Sequence, residues 1–599
     1  MPPPRAQAAI ADHGMIGDLR TAALVARDGT IDWFCPARFD APSVFGAIVD
    51  SERGGHWRIA PADEEPRVAQ FYFPDSNVLT TRFMTTAGVV EIQDFMPVSE
   101  HERLVRRVSC VRGRMRLRSE LCARFDYGRA AHRTRRNRDG VVLATDELKL
   151  TLFAEVALRT ERGDVHAEID VREGQSATFV LHVDDVADPD CHLGAAATAM
   201  FDDTVAYWRD WLAGSSYTGR WREMVNRSAL TLKLLTYLPT GAIVAAPTAG
   251  LPEELGGERN WDYRYVWMRD AAFTVYALIR LGFTAEAKAF NAWTAERLAD
   301  DAGGGKAGPL QVMYRIDGDP ELREVRLDHL DGHRGSRPVR VGNDAARQLQ
   351  LDIYGELIDS IYLYDKYGAP ISHDTWMQLS GILDWLAEHW DEPDAGIWET
   401  RSESRRHTFS RLMCWVAFER MIRVARTRGL PADVVGWSRV RDEIYSQIVE
   451  EGYDENRAAF VGRLDDGRLD AALLLMPMVK FCSPAEPRFR STLAAIESEL
   501  VADTLVYRYD DAVSDGVAGD EGTFSMCSFW YVEALTRVGR LQDARLALEK
   551  MFTYANHLGL YAEQISATGE QRGNFPQAFT HFSLISAAYN LDRALGGGE

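Results

Sequence analysis

Acid–base chemistry on a neutral, hydroxyl-rich molecule needs carboxyls, flat rings and fork-like donors. One segment and two glutamates of this chain supply them. The segment is Glu258–Asp270, Glu-Arg-Asn-Trp-Asp-Tyr-Arg-Tyr-Val-Trp-Met-Arg-Asp, with four aromatics and six charged residues in thirteen positions. A folding core disfavours that many charges and a surface loop that many rings. A pocket for an uncharged polyol uses both: rings such as Trp261, Tyr263 and Trp267 for C–H faces, and side chains such as Arg269 and Asp270 for hydroxyls. Gly250, Gly256 and Gly257 allow a tight loop before it. Apolar residues at Ala272, Val275, Tyr276, Ile279 and Phe283 give the helical spacing that puts Arg269 and Asp270 at a helix start. The plainer alternative is an Arg-Asp ion pair pinning a loop.

The first glutamate is Glu399, in Gly396-Ile397-Trp398-Glu399. A carboxyl beside the Trp398 indole is expected to be desolvated and its pKa raised, as a general acid requires. The second is Glu563, in Tyr561-Ala562-Glu563-Gln564, where the small Ala562 and the Gln564 amide leave room for a water and favour an ionised base. The alternatives are a helix-start glutamate favoured by the dipole and a solvated loop glutamate. His329, His333 and His407 lack a metal-binding pairing, and neither a phosphate loop nor a Gly-x-Ser-x-Gly nucleophile motif is present. No metal and no cofactor are expected.

The elements that must position these residues segregate along the chain. Strand patterns fall at Ile16–Arg20, Ala22–Val25, Asp28–Phe34, Asn77–Phe83, Val89–Phe95, Leu104–Val111, Leu148–Phe153 and Thr178–Val183. In Leu148–Phe153 the leucines alternate with Lys149 and Thr151, the pattern of a half-buried strand. Residues 1–200 are therefore expected to form an N-terminal antiparallel β-sandwich domain. Residues 201–239 read as a helical linker. Residues 240–599 carry helical patterns at about 268–283, 285–300, 340–365, 373–390, 408–428, 437–450, 468–480, 487–501, 522–538, 541–556 and 576–596. No fixed-period repeat supports a solenoid, so the expected arrangement is an (α/α)6 toroid.

The totals fit this picture. At 599 residues the chain exceeds one core. A net charge of −21 argues against a nucleic-acid partner and suits a neutral substrate. Seven scattered cysteines form neither a disulfide framework nor a zinc site. No apolar run approaches a membrane span, and residues 1–20 lack a signal-peptide core, so the expected location is cytoplasmic.

Together these pieces resemble glycoside hydrolase family 15, the glucoamylase-like enzymes, in their bacterial trehalase-like branch. Gly14–Arg20, Asp28–Trp33 and Phe39–Phe45 are similar to that branch's N-terminal β-domain. Asn260–Arg264 with Trp267–Asp270 looks like the segment whose Arg-Asp pair holds the terminal glucose. Gly335-Ser336-Arg337-Pro338, Tyr507-Arg508-Tyr509 and Ala562-Glu563-Gln564 are similar to further family segments, which would bring Arg337, Arg508 and Gln564 to the sugar. The resemblance implies an inverting mechanism, with Glu399 as acid and Glu563 as base about 6.5–9.5 Å apart. It also implies β-glucose as product and small substrates: isomaltose-type, maltose-type or trehalose. A phosphorylase on the same two-domain plan and an inactive sugar-binding protein are the rivals, and the retention of both glutamates speaks against each. A homo-oligomer is compatible with the sequence.

Overall fold

The computed structural model describes residues 7–137, 140–183, 193–300, 310–509 and 521–596, without the side chains of 299 and 300. The N-terminal part is an antiparallel assembly of fourteen strands. Its axis is one strand of 20 residues, Arg103–Cys122. The first half of that strand pairs with Gly88–Phe95 and Ser176–Val183, and the second half with His56–Pro61 and Asp164–Arg172. One strand thus serves two sheets, and Trp57 of one packs edge-on against Phe179 of the other at 6.3 Å. Of the strands expected from the sequence, Leu104–Val111 is half of this longer element. Those at 56–61, 67–72, 133–136, 140–144, 158–161 and 164–172 were not expected. Thr151, expected to face water, is buried.

Among the described residues twelve α-helices follow: α1 (Leu193–Leu212), α2 (Arg222–Leu234), α3 (Met268–Leu281), α4 (Thr284–Asp300), α5 (Asp352–Tyr367), α6 (His373–His389), α7 (Thr408–Arg428), α8 (Val434–Glu450), α9 (Pro487–Glu499), α10 (Ser525–Arg537), α11 (Leu541–Thr553) and α12 (Ala578–Leu595). Helix α1 packs on the β-domain, its Ala197 and Val205 meeting Val78, Val105 and Val180. Helix α2 packs on α12. The inner ring runs α3–α5–α7, then a 3-10 segment (Ala471–Leu475), then α10 and α12, which closes back on α3. Helices α7, α10 and α12 are buried nearly all round, which only an inner position allows.

Two expected helices are corrected. The pattern at 468–480 forms only the 3-10 turn Ala471–Leu475, because Pro477 inside the run removes a helix donor. The pattern at 340–365 becomes a helix only at Asp352. Gly342 at φ 79° and a 3-10 turn capped by Asn343 interrupt its start.

The β-domain reaches under the segment that opened the sequence analysis. The Trp33 indole donates to Pro247 O at 2.7 Å. The buried Arg264 pairs with Asp262 at 2.7 Å and donates to Ala41 O at 2.7 Å and Tyr127 Oη at 2.8 Å.

Candidate active site

The inner helices α3 and α5 begin at one end of the toroid, and the loops there converge on two adjoining cavities. Both cavities are lined by Tyr263, Trp398, Glu399, Arg508, Phe524 and Glu563. The two glutamates, 164 positions apart in sequence, therefore share one hollow.

The opening segment ties them together. Tyr263 Oη donates to Glu563 Oε1 at 2.6 Å, and Trp267 Nε1 donates to Glu399 Oε1 at 2.6 Å. The two rings pack edge-to-face at 5.2 Å. Their spacing of four residues thus spans the hollow from one carboxyl to the other. Two residues on, at the start of α3, Arg269 donates to Glu399 Oε1 at 3.1 Å and to Gln350 Oε1 at 3.0 Å, and it pairs with Asp352 at 3.4 Å. Asp270 lies 3.9 Å from the Arg269 guanidinium. Burial pushes its pKa up to about 7, against the pull of Arg269 and with further push from Glu399 and Asp352.

Glu399 sits in a turn, its backbone N–H bonding Gly396 O at 3.1 Å, with φ 53°. The indole that meets its carboxyl is Trp267, not its neighbour Trp398. Trp398 turns the other way and donates to Asp470 Oδ2 at 2.9 Å. Trp398 remains a wall of the cavity, with the Arg508 guanidinium 5.5 Å above its ring. Arg508 is held by Glu521, which it meets at 2.7 Å and which also pairs with Arg259 at 2.6 Å.

Glu563 is only 4% exposed. Its backbone is fixed beside a small three-stranded sheet in which Gln564 pairs with Phe524 and Arg572. Gln577 donates to Oε1 at 3.3 Å, while Oε2 has no hydrogen-bond partner among the described residues. A Cβ at Gly573 would stand 2.9 Å from that Oε2, so only glycine leaves the oxygen its space. Burial, and then the neighbouring Glu253, push the Glu563 pKa well above the ordinary carboxylate range. This corrects the expectation of an ionised carboxylate beside Gln564. The Gln564 amide is directed elsewhere, donating to Glu253 Oε2 at 3.0 Å.

Of the expected sugar-binding residues, Trp261, Tyr263, Trp267, Arg269, Asp270, Trp398 and Arg508 line one or both cavities. Gln564 stands behind the wall and holds Glu253. Arg337 lies away from both cavities, 55% exposed and paired with Asp331. The sequence reading missed Glu253, Arg259 and Arg401, which line the cavity around Trp261. Arg401 and Arg340 each lie 4.7 Å from the Trp261 ring, and both are tied to Glu324. Arg259 lies inside the aromatic segment, Glu253 just before it and Arg401 just after Glu399, so proximity to the motifs is a signal that could have found all three.

No residue of this hollow forms a metal-ligand cluster among those described. His56, Glu120 and Cys122, in the β-domain, bring ligand atoms within 4.8 Å of one another. Burial, Asp164 and Glu120 push the Cys122 thiol far above its ordinary pKa, which disfavours the thiolate a metal needs.

Residues 219–589 match the model of "Glycosyl hydrolases family 15" and residues 5–184 that of "Trehalase-like, N-terminal". The chain belongs to glycosyl hydrolase family 15 and is a glycoside hydrolase. A protein named trehalase from Mycolicibacterium smegmatis is 38% identical, the match covering 98% of this chain and 91% of that one. Another named trehalase, from Thermoplasma volcanium, is 36% identical over 97% of this chain and 93% of its own. Among solved structures, a bacterial glucoamylase complexed with acarbose shares the fold at TM-score 0.74 and 13% identity, covering 98% of this chain and 94% of that one.

Proposed function

We propose that the protein hydrolyses a small α-glucoside, trehalose foremost, with inversion at the attacked carbon. The observation that carries this reading is the Tyr263–Trp267 pair, which spans the hollow and hydrogen-bonds one catalytic carboxyl at each end. Arg269 and Asp270 take the hydroxyls of the glucose to be cleaved. Glu399, on the Trp267 side, gives its proton to the glycosidic oxygen. Glu563, through the unpartnered Oε2, takes a proton from the water that attacks the anomeric carbon on the opposite ring face. Glu399 ends as a carboxylate next to Arg269, whose cation stabilises the charge it acquires.

Trehalose as the preferred substrate rests on the names of the two relatives and on the match to a trehalase-like N-terminal region. The Trp261–Arg401–Arg340 cluster supports a short substrate, because two guanidiniums already occupy the surroundings of that ring.

The test is an activity panel on trehalose, isomaltose, maltose and dextrin, with early-time NMR. Inverting cleavage of trehalose yields one β-glucose and one α-glucose in equal amounts before mutarotation. Two α-glucoses would overturn inversion, and faster turnover of isomaltose or maltose would overturn the substrate.

A further inference from the structure

A cavity of about 320 Å³ runs inside the ring from Ala272, Glu356 and Met413, in the first turns of α3, α5 and α7, to a mouth among the C-terminal turns of α3, α5, α7, α10 and α12. It lies outside the catalytic hollow and takes no part in the chemistry proposed above. Two properties distinguish it.

Its deep wall carries buried polar atoms with no hydrogen-bond partner among the described residues: both carboxyl oxygens of Glu356, the Ser360 hydroxyl and Arg537 Nε. Glu356 is 2% exposed and lies one helical turn beyond Asp352, which contacts Arg269 of the catalytic end. Burial raises the Glu356 pKa well above the ordinary value. The two Glu356 carboxyl oxygens and the Ser360 hydroxyl are buried polar atoms that a ligand in the cavity can meet. Buried polar groups left unmet in this way are costly. Tyr276 and Tyr362 flank them with rings.

The second property is charge. Seven Lys or Arg side chains line the cavity against two acids, Glu356 and Asp359. Asp359 is paired with Arg420, and Arg423 and Arg537 have Glu419 and Glu533. Arg280, Lys366, Lys480 and Arg593 enter no ion pair among the described residues. Five helix C-termini contribute about −0.5 charge each, which offsets two to three of these four cations. A positive surplus remains, in a chain of net charge −21.

From the hydroxyl-seeking wall and the cationic mouth together, we propose that this cavity binds a hydroxylated anion of monosaccharide size, its hydroxyls on Glu356 and Ser360 and its charge at Lys366, Lys480 and Arg593. Sugar phosphates and sugar acids share this chemistry.

The test is calorimetric titration of the full chain, at fixed ionic strength, with glucose 6-phosphate, gluconate, glucose and inorganic phosphate. Saturable one-to-one binding is expected for the first or second ligand, at least tenfold tighter than for glucose or inorganic phosphate. In a Glu563→Gln background, added trehalose should not displace it. The double variant Lys366→Glu/Lys480→Glu should weaken binding at least tenfold while trehalose hydrolysis stays unchanged. Ser360→Ala should weaken it more for the hydroxylated anions than for inorganic phosphate. Which anion binds tighter identifies the source. The proposal is overturned if neither hydroxylated anion saturates, if trehalose displaces it, if the double variant binds as the parent does, or if inorganic phosphate binds as tightly. In that last case the cations do no more than complement the helix carbonyl ends.

Discussion

The two walls of the catalytic hollow are built oppositely. On the Glu399 side a guanidinium stands 3.1 Å from the carboxyl, an indole donates to it, and its side chain is 20% exposed. On the Glu563 side the carboxyl is 4% exposed, the acid Glu253 outweighs the cation Arg508 among its charged neighbours, and its close donor is a neutral phenol. The wall assigned to deliver a proton contains a cation, and the wall assigned to accept one is acid-rich. The role of each carboxyl follows from the atom of the bound sugar it meets. The surrounding field instead fixes the pH at which the free site is ready. For Glu563 that field holds the proton on to a pH well above the ordinary carboxylate range.

The largest effects should separate the two walls by leaving group. Glu563→Gln should lower the rate by about 10²–10⁴-fold on both trehalose and α-glucosyl fluoride, the range for a lost general base. Glu399→Gln should do the same on trehalose but largely spare the fluoride, whose leaving group needs little protonation. Equal losses on both substrates in both variants would erase the distinction between the walls.

The floor common to both walls comes next. Asp270→Ala should lower kcat/KM by about 10²-fold or more with the fold intact by circular dichroism, because truncation leaves Arg269 and the sugar hydroxyls unpaired. Activity near that of the parent would remove the clamp role.

Smaller and directional are the pH effects. The base must be ionised, so kcat/KM falls as pH drops through the free-site pKa values of Glu563 and Asp270. Both are raised, Asp270 to about 7, and the acidic limb should lie above the ordinary carboxylate range. Glu253→Gln removes a like charge, so the limb should move to lower pH. Tyr263→Phe removes a hydrogen bond that lowers the Glu563 pKa, so the limb should move up, with about a 10-fold loss at pH 7. Shifts in the same direction would contradict this account of the acidic wall. The smallest effect, under about twofold, belongs to Arg337→Ala, since that side chain pairs with Asp331 in solvent.

Much of this was legible because the long-range partners sit on short, dense motifs. The composition of segment 258–270 marked the rings and charged side chains that line the hollow, and the segregation of strands from helices gave the two-part fold. What sequence adjacency misjudged was direction. Trp398 precedes Glu399 yet faces Asp470, and Gln564 follows Glu563 yet faces Glu253. In a tight turn or a strand, neighbours point to opposite sides, so the groups that set a carboxyl's field come from elsewhere in the chain. Arg401 is a single residue in an irregular loop, with no periodicity to mark it. The helix expected at 468–480 followed an apolar run and passed over Pro477 within it.

Glu399 holds a left-handed backbone, φ 53°, with a side chain that has a β-carbon. That conformation disfavours such residues by about 1–2 kcal/mol and suits glycine or asparagine. A library of this protein selected only for surviving heat should therefore enrich glycine or asparagine at position 399, and the survivors should melt higher than the parent while turning over no sugar. Durability and turnover pull this one position in opposite directions, and its identity records which of the two the lineage was held to.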